Sequence, residues 1–184
     1  MSEITSANSG AIGTGIGPAP GEADVALSRE GFLLQLLREL TGTLQDVIGV
    51  EDASGLIALV GQRVGDRLDG QYRQALGVQH LDRHQVAAVV VDLKRRIDGD
   101  FYVIEEAEDR IVLGNRRCPF GEMVRDRPSL CMMTSNVLGT LAAEHLGRAR
   151  VSLVETIARG AAGCRVVIWL GQTPAAEGRD YFRS

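Results

Sequence analysis

The sequence predicts an α+β domain: N-terminal helices followed by a four-stranded, mainly antiparallel sheet, in the order hairpin, helix, hairpin, packed against helices. Two observations predict it. Apolar residues repeat with a helical period as far as Ile97, and beyond Gly99 the pattern shifts to the alternation of strands. The alternating segments also come in pairs, one joined by the acidic run at 106–109 and one by the glycine-rich run at 159–163. A run of helices followed by antiparallel strands belongs to the α+β class.

Order is expected from about Ser28. Phe32, Leu33, Leu36, Leu37, Leu40, Leu44, Val47 and Ile48 share one helical face, and Gly49 ends that helix. A second helix is expected over about 52–69, with Leu56, Val60, Val64 and Leu68 as its stripe. Gly55, Gly61 and Gly65 lie beside the stripe. Each costs a helix about 1 kcal/mol relative to alanine, which points to close packing, against another helix of the chain or against a second copy. The third helix has Asp82 as N-cap and Gln85 three residues on, the pattern of a capping box. Leu81 and Val86 are placed to form a hydrophobic staple. Val89, Val90, Leu93 and Ile97 continue the stripe, and Lys94, Arg95 and Arg96 complement the dipole in the last turn. Strands are expected over 101–105 and 110–115. A fourth helix starts at Pro128 with Leu130, Met133, Val137, Leu138 and Leu141 inward, and Gly147 as its C-cap. Two strands over about 150–158 and 164–170 complete the domain.

The domain organisation follows: residues 1–27 as a disordered tail, 28–171 as one folded domain, and 172–184 as a polar C-terminal tail. The first segment is rich in Gly, Ser, Ala and Pro. Its Gly13-Thr14-Gly15-Ile16-Gly17 run follows no strand and ends at Pro18, so it is not a phosphate loop. Hydrophobic residues make up 45% of the 184 residues, enough for a core, but aromatics only 4%, so the core is aliphatic. The net charge of −4 argues against a general surface for nucleic acid or anionic lipid. No run is long and apolar enough to span a membrane, and the N-terminus has no signal-peptide pattern. The expected compartment is the cytoplasm, where thiols stay reduced.

Cys118, Cys131 and Cys164 are the chain's three cysteines, spaced Cys-x12-Cys-x32-Cys. No compact zinc-finger spacing is present. Cys118 precedes a Pro-Phe-Gly turn, Cys131 lies in the first turn of the fourth helix, and Cys164 opens the last strand. A helix start favours a thiolate, or the anionic sulfurs of an iron–sulfur cluster. Each cysteine taken singly reads as a small core residue; three at element boundaries beside Gly and Pro point to a shared site. Arg116, Arg117, Arg125 and Arg127 are the expected cationic rim. His145 falls about 20 Å along the helix from Cys131, and His80 and His84 could reach the site only through tertiary contact. No nucleophile elbow or cysteine–base pair is evident, so an enzyme is not expected.

The strings Asn115-Arg116-Arg117-Cys118-Pro119-Phe120-Gly121, Pro128-Ser129-Leu130-Cys131-Met132-Met133-Thr134, Thr156-Ile157-Ala158-Arg159-Gly160 and Gly163-Cys164 resemble the methanogen output domain family. So does Leu93-Lys94-Arg95-Arg96-Ile97 with Asp100-Phe101-Tyr102. The resemblance runs from about Phe32 to Leu170 and implies a sensory or signal-output module. A looser similarity is to the C-terminal sensor half of winged-helix repressors of iron–sulfur cluster assembly. It rests on the Cys-Pro-Phe turn, the Pro-x-x-Cys helix start and Gly160-x-x-x-Cys164, and implies that the three cysteines are cluster ligands. The chain lacks those repressors' additional cysteine and their winged helix, so DNA binding is not carried over.

The expectation is therefore a regulatory domain that binds an iron–sulfur cluster or senses redox state through Cys118, Cys131 and Cys164. The alternative is a module for a small organic ligand, with structural cysteines. The expected partners are a second copy of the chain and a signalling protein, with neither membrane nor nucleic acid.

Overall fold

The computed structural model describes residues 24–171 and 177–183. Most of the expected N-terminal tail, residues 1–23, lies outside them. Helix α1 spans Arg29–Leu76. The Ser28 hydroxyl caps it by accepting from the Gly31 N–H at 3.0 Å. Gly49, at φ 83° and ψ 160°, leaves the helical path and divides α1 into two arms. Such a conformation is open to glycine and strained for other residues. The two expected helices are thus these arms, the second running on to Gly77, which closes it in the left-handed region.

Helix α2, Arg83–Arg96, opens with the predicted capping box. The Gln85 N–H donates to Asp82 at 2.8 Å, and the Asp82 N–H to the Gln85 side chain at 2.9 Å. Strands β1 (Phe101–Glu106) and β2 (Arg110–Asn115) form the first hairpin. A 3-10 turn, Gly121–Val124, leads to helix α3, Pro128–Leu146, with Pro128 in its first turn. Strand β3 (Arg148–Glu155), a 3-10 turn (Ile157–Arg159) and strand β4 (Cys164–Leu170) follow.

The sheet has five strands, not four. Strand β5, Arg179–Phe182, lies within the segment expected to be a polar tail and pairs with β3. The order is β1-β2-β4-β3-β5, and each pairing is antiparallel. Sequence reasoning missed β5 because four residues give too little alternation to register.

Helix α3 is central. Leu138, Leu141, Ala142 and Ala143 are fully buried, together with Ile111 and Leu113 of β2 and Ile168 of β4. Val86 and Val90 of α2 complete this core. The opposite side of α3 receives α1. A Cβ on Gly61 would lie 2.8 Å from the Asn136 Cβ, and one on Gly65 would lie 3.2 Å from the Thr140 Cβ. The glycines at 61 and 65 therefore serve packing within the chain; Gly55 faces open space. Among the described residues, no helix is long and apolar enough to cross a membrane.

Candidate functional site

Three element junctions meet at one end of the sheet. Asn115 ends β2 opposite Cys164 at the start of β4, so Cys118, three residues past β2, lies beside Cys164. Helix α3 begins over the same corner and brings Cys131. All three sulfurs pack with Val124, Leu130, Ile157 and Ala158 in a small apolar cluster. They line one cavity of about 30 Å³, with Phe101, Phe120, Thr134, Thr156 and Val166 in its walls. That volume is about one water molecule's share of the liquid. Each thiol is free and partly accessible. The convergence read from the sequence is present.

Hydrogen-bond donors point at the sulfurs. Cys164 Sγ faces the Ile157 N–H at 3.5 Å and the Asn115 side-chain amide at 3.7 Å. The Phe120 N–H serves Cys118, and the Thr156 hydroxyl lies by Cys131. That hydroxyl is buried and makes no hydrogen bond of ordinary geometry, so the Thr156–Cys131 contact is a weak one. A neutral thiol is a poor acceptor, so donors aimed at sulfur are matched to sulfur carrying negative charge.

A cation completes the site. Lys94 is 4% exposed, although it sits in the last turn of α2, where the sequence reading gave it a role at the helix dipole. Its Nζ donates to Thr134 Oγ1 at 3.0 Å and lies 5.3 Å from the centre of the Phe101 ring. Both neighbours line the cysteine cavity. Burial pushes the Lys94 ammonium down to about 8, while negative charge on Cys118, then Cys131, then Cys164, would hold it up. Two signals in the sequence pointed to it. Lys94 stands four residues beyond Val90 and eight beyond Val86 on the buried face. It is also the chain's only lysine, among 19 arginines.

The thiols respond to the same burial. Cys118 is raised, mainly by desolvation, against the pull of the Phe120 N–H and Lys94. Cys131 is pushed up to about 12, by burial first and then by Cys118 and Cys164. The helix-start argument favoured Cys131 as the thiolate, and desolvation outweighs it. Cys118 and Cys164 have the better-directed donors.

The other expected residues lie apart from the cavity wall. Arg116 pairs with Asp100 at 3.2 Å and covers the Tyr102 ring; Arg117 donates to the Asp98 carbonyl at 2.8 Å; Arg125 pairs with Glu122. Arg127 packs its guanidinium against Gly42 of α1. His84 pairs with Glu106, and His145 is buried against Asp69, far along α3. Among the described residues, no group of three or more His, Cys, Asp and Glu side chains is arranged to hold a metal ion. A water-sized space also does not hold a four-iron cube, so the residues as folded do not fit a preformed iron–sulfur cluster.

A family model described as methanogen output domain 1 matches residues 36–169. A comparison with curated proteins gives no match. Among solved structures, the phenol-responsive sensory domain of the transcription activator PoxR, with phenol, is similar at 16% identity and TM-score 0.56, covering 82% of this chain and 78% of that one. A trafficking protein particle complex subunit 3 from Naegleria fowleri, covalently bound to palmitic acid, is similar at 14% and 0.53, covering 84% and 99%. An Fe(II) unliganded H-NOX protein from K. algicida is similar at 12% and 0.53, covering 84% and 80%. At these identities the likeness is one of fold.

Proposed function

The chain belongs to the methanogen output domain 1 family, and from that premise we propose that it is a sensory or regulatory domain, not an enzyme, whose responsive part is the cysteine pocket acting by reversible thiol oxidation. The observation that carries this reading is the joint placement of three free thiols and a buried ammonium around one water-sized space, with N–H donors turned toward sulfur. A disulfide between two of the thiols would remove charge-bearing groups from beside Lys94 and draw together the start of α3, the start of β4 and the turn after β2. Those three junctions set how α3 sits on the sheet, so the oxidation state can be passed to α1, which packs on α3.

The test is oxidation of the reduced full chain with diamide, followed by peptide mapping. The expected product is a disulfide within the 118, 131 and 164 set, reversed by dithiothreitol, with altered hydrogen exchange at the start of α3. Three thiols still free after oxidation would remove the reading. Iron and sulfide copurifying anaerobically with the chain, and lost in Cys131→Ala, would favour the cluster in its place.

A second reading has its own support. A cleft of about 560 Å³ opens beside the pocket, lined by Met132, Ser135, Leu153, Arg159 and Trp169 among others. It is large enough for a small organic ligand, and the sensory domain of PoxR that shares the fold is described with phenol. Thermal shifts with a panel of phenols, retained in a variant with all three cysteines changed to serine, would favour ligand sensing with structural cysteines.

A further inference from the structure

Lys94 is unexplained by thiol chemistry in general. A buried ammonium is costly without a counter-charge, and among the described residues no carboxylate pairs with Lys94: its hydrogen bond goes to a hydroxyl. The negative charge within its reach is whatever the three sulfurs can develop. Arginine supplies the basic charge elsewhere in the chain, yet this position holds the one primary amine. A lysine differs from an arginine in that it gives up and recovers a proton readily when buried. The Thr156 hydroxyl, 4% exposed and without a partner of ordinary geometry, lines the same space and offers a further donor to something small and electron-rich there.

Resting on the thiol reading, we propose that the oxidant the pocket is built for is a small hydroperoxide, with Cys118 as the attacking sulfur, Cys164 as the resolving sulfur and Lys94 as the proton donor between them. The cavity's volume limits the reactant to a few heavy atoms. Cys118 is the thiol on which the Lys94 charge acts most strongly, and it also faces the Phe120 N–H. Cys164 opens β4 opposite Asn115, three residues before Cys118, and two N–H donors await its thiolate.

The steps balance. Cys118 transfers its proton to the Lys94 amine, and the thiolate attacks one peroxide oxygen. An S–O bond forms, the O–O bond breaks, and the leaving hydroxide takes the proton from Lys94 and departs as water. Lys94 then accepts the Cys164 proton. The Cys164 sulfur attacks the sulfenic sulfur, the S–S bond forms, the S–O bond breaks, and the second hydroxide leaves as water with the Lys94 proton. Two thiols are oxidised to a disulfide, and one hydrogen peroxide is reduced to two waters; an organic hydroperoxide would give its alcohol in place of the first water.

The experiment compares the reduced full chain with Lys94→Met and Lys94→Arg, using hydrogen peroxide, tert-butyl hydroperoxide and diamide. Wild type is expected to form the 118–164 disulfide with hydrogen peroxide, and to react at least about tenfold more slowly with the bulky peroxide. Lys94→Met is expected to lose about tenfold or more in the peroxide rate, while its melting temperature stays level or rises, because an uncompensated buried charge is gone. A lysine that only braced the fold would give the opposite sign on melting. Lys94→Arg keeps charge without a readily exchangeable amine and is expected to stay below wild type. A Lys94→Met chain that reacts with peroxide at the wild-type rate would overturn the proposal. So would a pocket disulfide formed by diamide but not by peroxide, which leaves the thiol reading intact. No pocket disulfide with any oxidant would remove that reading instead.

Discussion

Lys94 keeps an ammonium in apolar surroundings with a hydroxyl and an aromatic ring for company, and that has a consequence for stability. Its proton is held at about 8 in the folded chain against 10.5 when unfolded. Between those values the unfolded chain binds the extra proton, so stability rises with pH, by roughly 3 kcal/mol if Lys94 acted alone. Cys131 works the other way. Its thiol is held at about 12 against 9 unfolded, so the folded chain keeps a proton the unfolded chain has lost, and stability falls as pH passes from 9 to 12. Denaturant unfolding of the reduced chain should thus show stability rising from pH 8 to 9, level from 9 to 10.5 where the two effects cancel, and falling above that. In Lys94→Met the rise should vanish and the fall remain; a persisting rise would assign it elsewhere. A second buried polar set is purely architectural. The Leu81 N–H donates to His145 Nδ1 at 3.1 Å, so the imidazole proton is on Nε2 and is donated to Asp69, which also holds Arg73. His145→Ala would strand a buried N–H and a buried carboxylate together, at a cost of about 3 kcal/mol or more in chemical denaturation.

At the scale of the elements, the sequence was most legible where a local rule sufficed. The capping box at Asp82 and Gln85, Pro128 in the first turn of α3, Gly147 past its end and the period change at Gly99 each fix a boundary through contacts within a few residues. What was not legible depends on partners distant in the chain. Strand β5 is held by pairing with β3 and by Tyr181, whose ring lies against Gly139 and whose hydroxyl bonds Ser135 at 2.9 Å. The helical glycines likewise needed the third dimension to be sorted. A methyl on Gly61 would sit 2.8 Å from the Asn136 Cβ and 3.0 Å from the Met133 carbonyl oxygen, and backbone cannot move aside cheaply. Gly61→Ala should therefore destabilise by about 1–3 kcal/mol. Gly55→Ala meets nothing within 4 Å and should stabilise by about 0.5–1 kcal/mol. Equal effects from the two substitutions would contradict the packing of α1 on α3. The cysteine triangle was readable because three element boundaries shared one residue type. Lys94 was not, because its place at the end of α2 already had a sufficient local explanation in the helix dipole.

For the whole molecule, the apolar pattern of α1 is larger than the core it serves. The residues that α1 buries, among them Ala53, Ile57, Ala58, Gly61 and Gly65, are small or medium in size. The larger side chains of the same helix look outward: Phe32, Leu33, Leu36, Leu40, Val47, Leu59 and Val60 are each half exposed or more, and Leu56 nearly so. That many exposed apolar side chains along the two arms of α1 exceed the scattered apolar residues normal for a monomer's surface. The expectation of a second copy, drawn from the glycines at 55, 61 and 65 and from the long apolar first helix, thus rests on that helix alone, since Gly61 and Gly65 are spent within the chain. Pairing through α1 would also join the pocket to the assembly, because α1 packs along α3 and Cys131 lies in the first turn of α3. Sedimentation at tens of micromolar, a concentration at which interfaces of micromolar affinity are filled, is expected to show a dimer. Leu36→Glu with Leu40→Glu should shift it to monomer without lowering the helical signal, because neither side chain supports the core. If the wild-type chain sediments as a monomer across that range, the α1 stripe belongs to a different protein, and redox control would have to act on that contact instead.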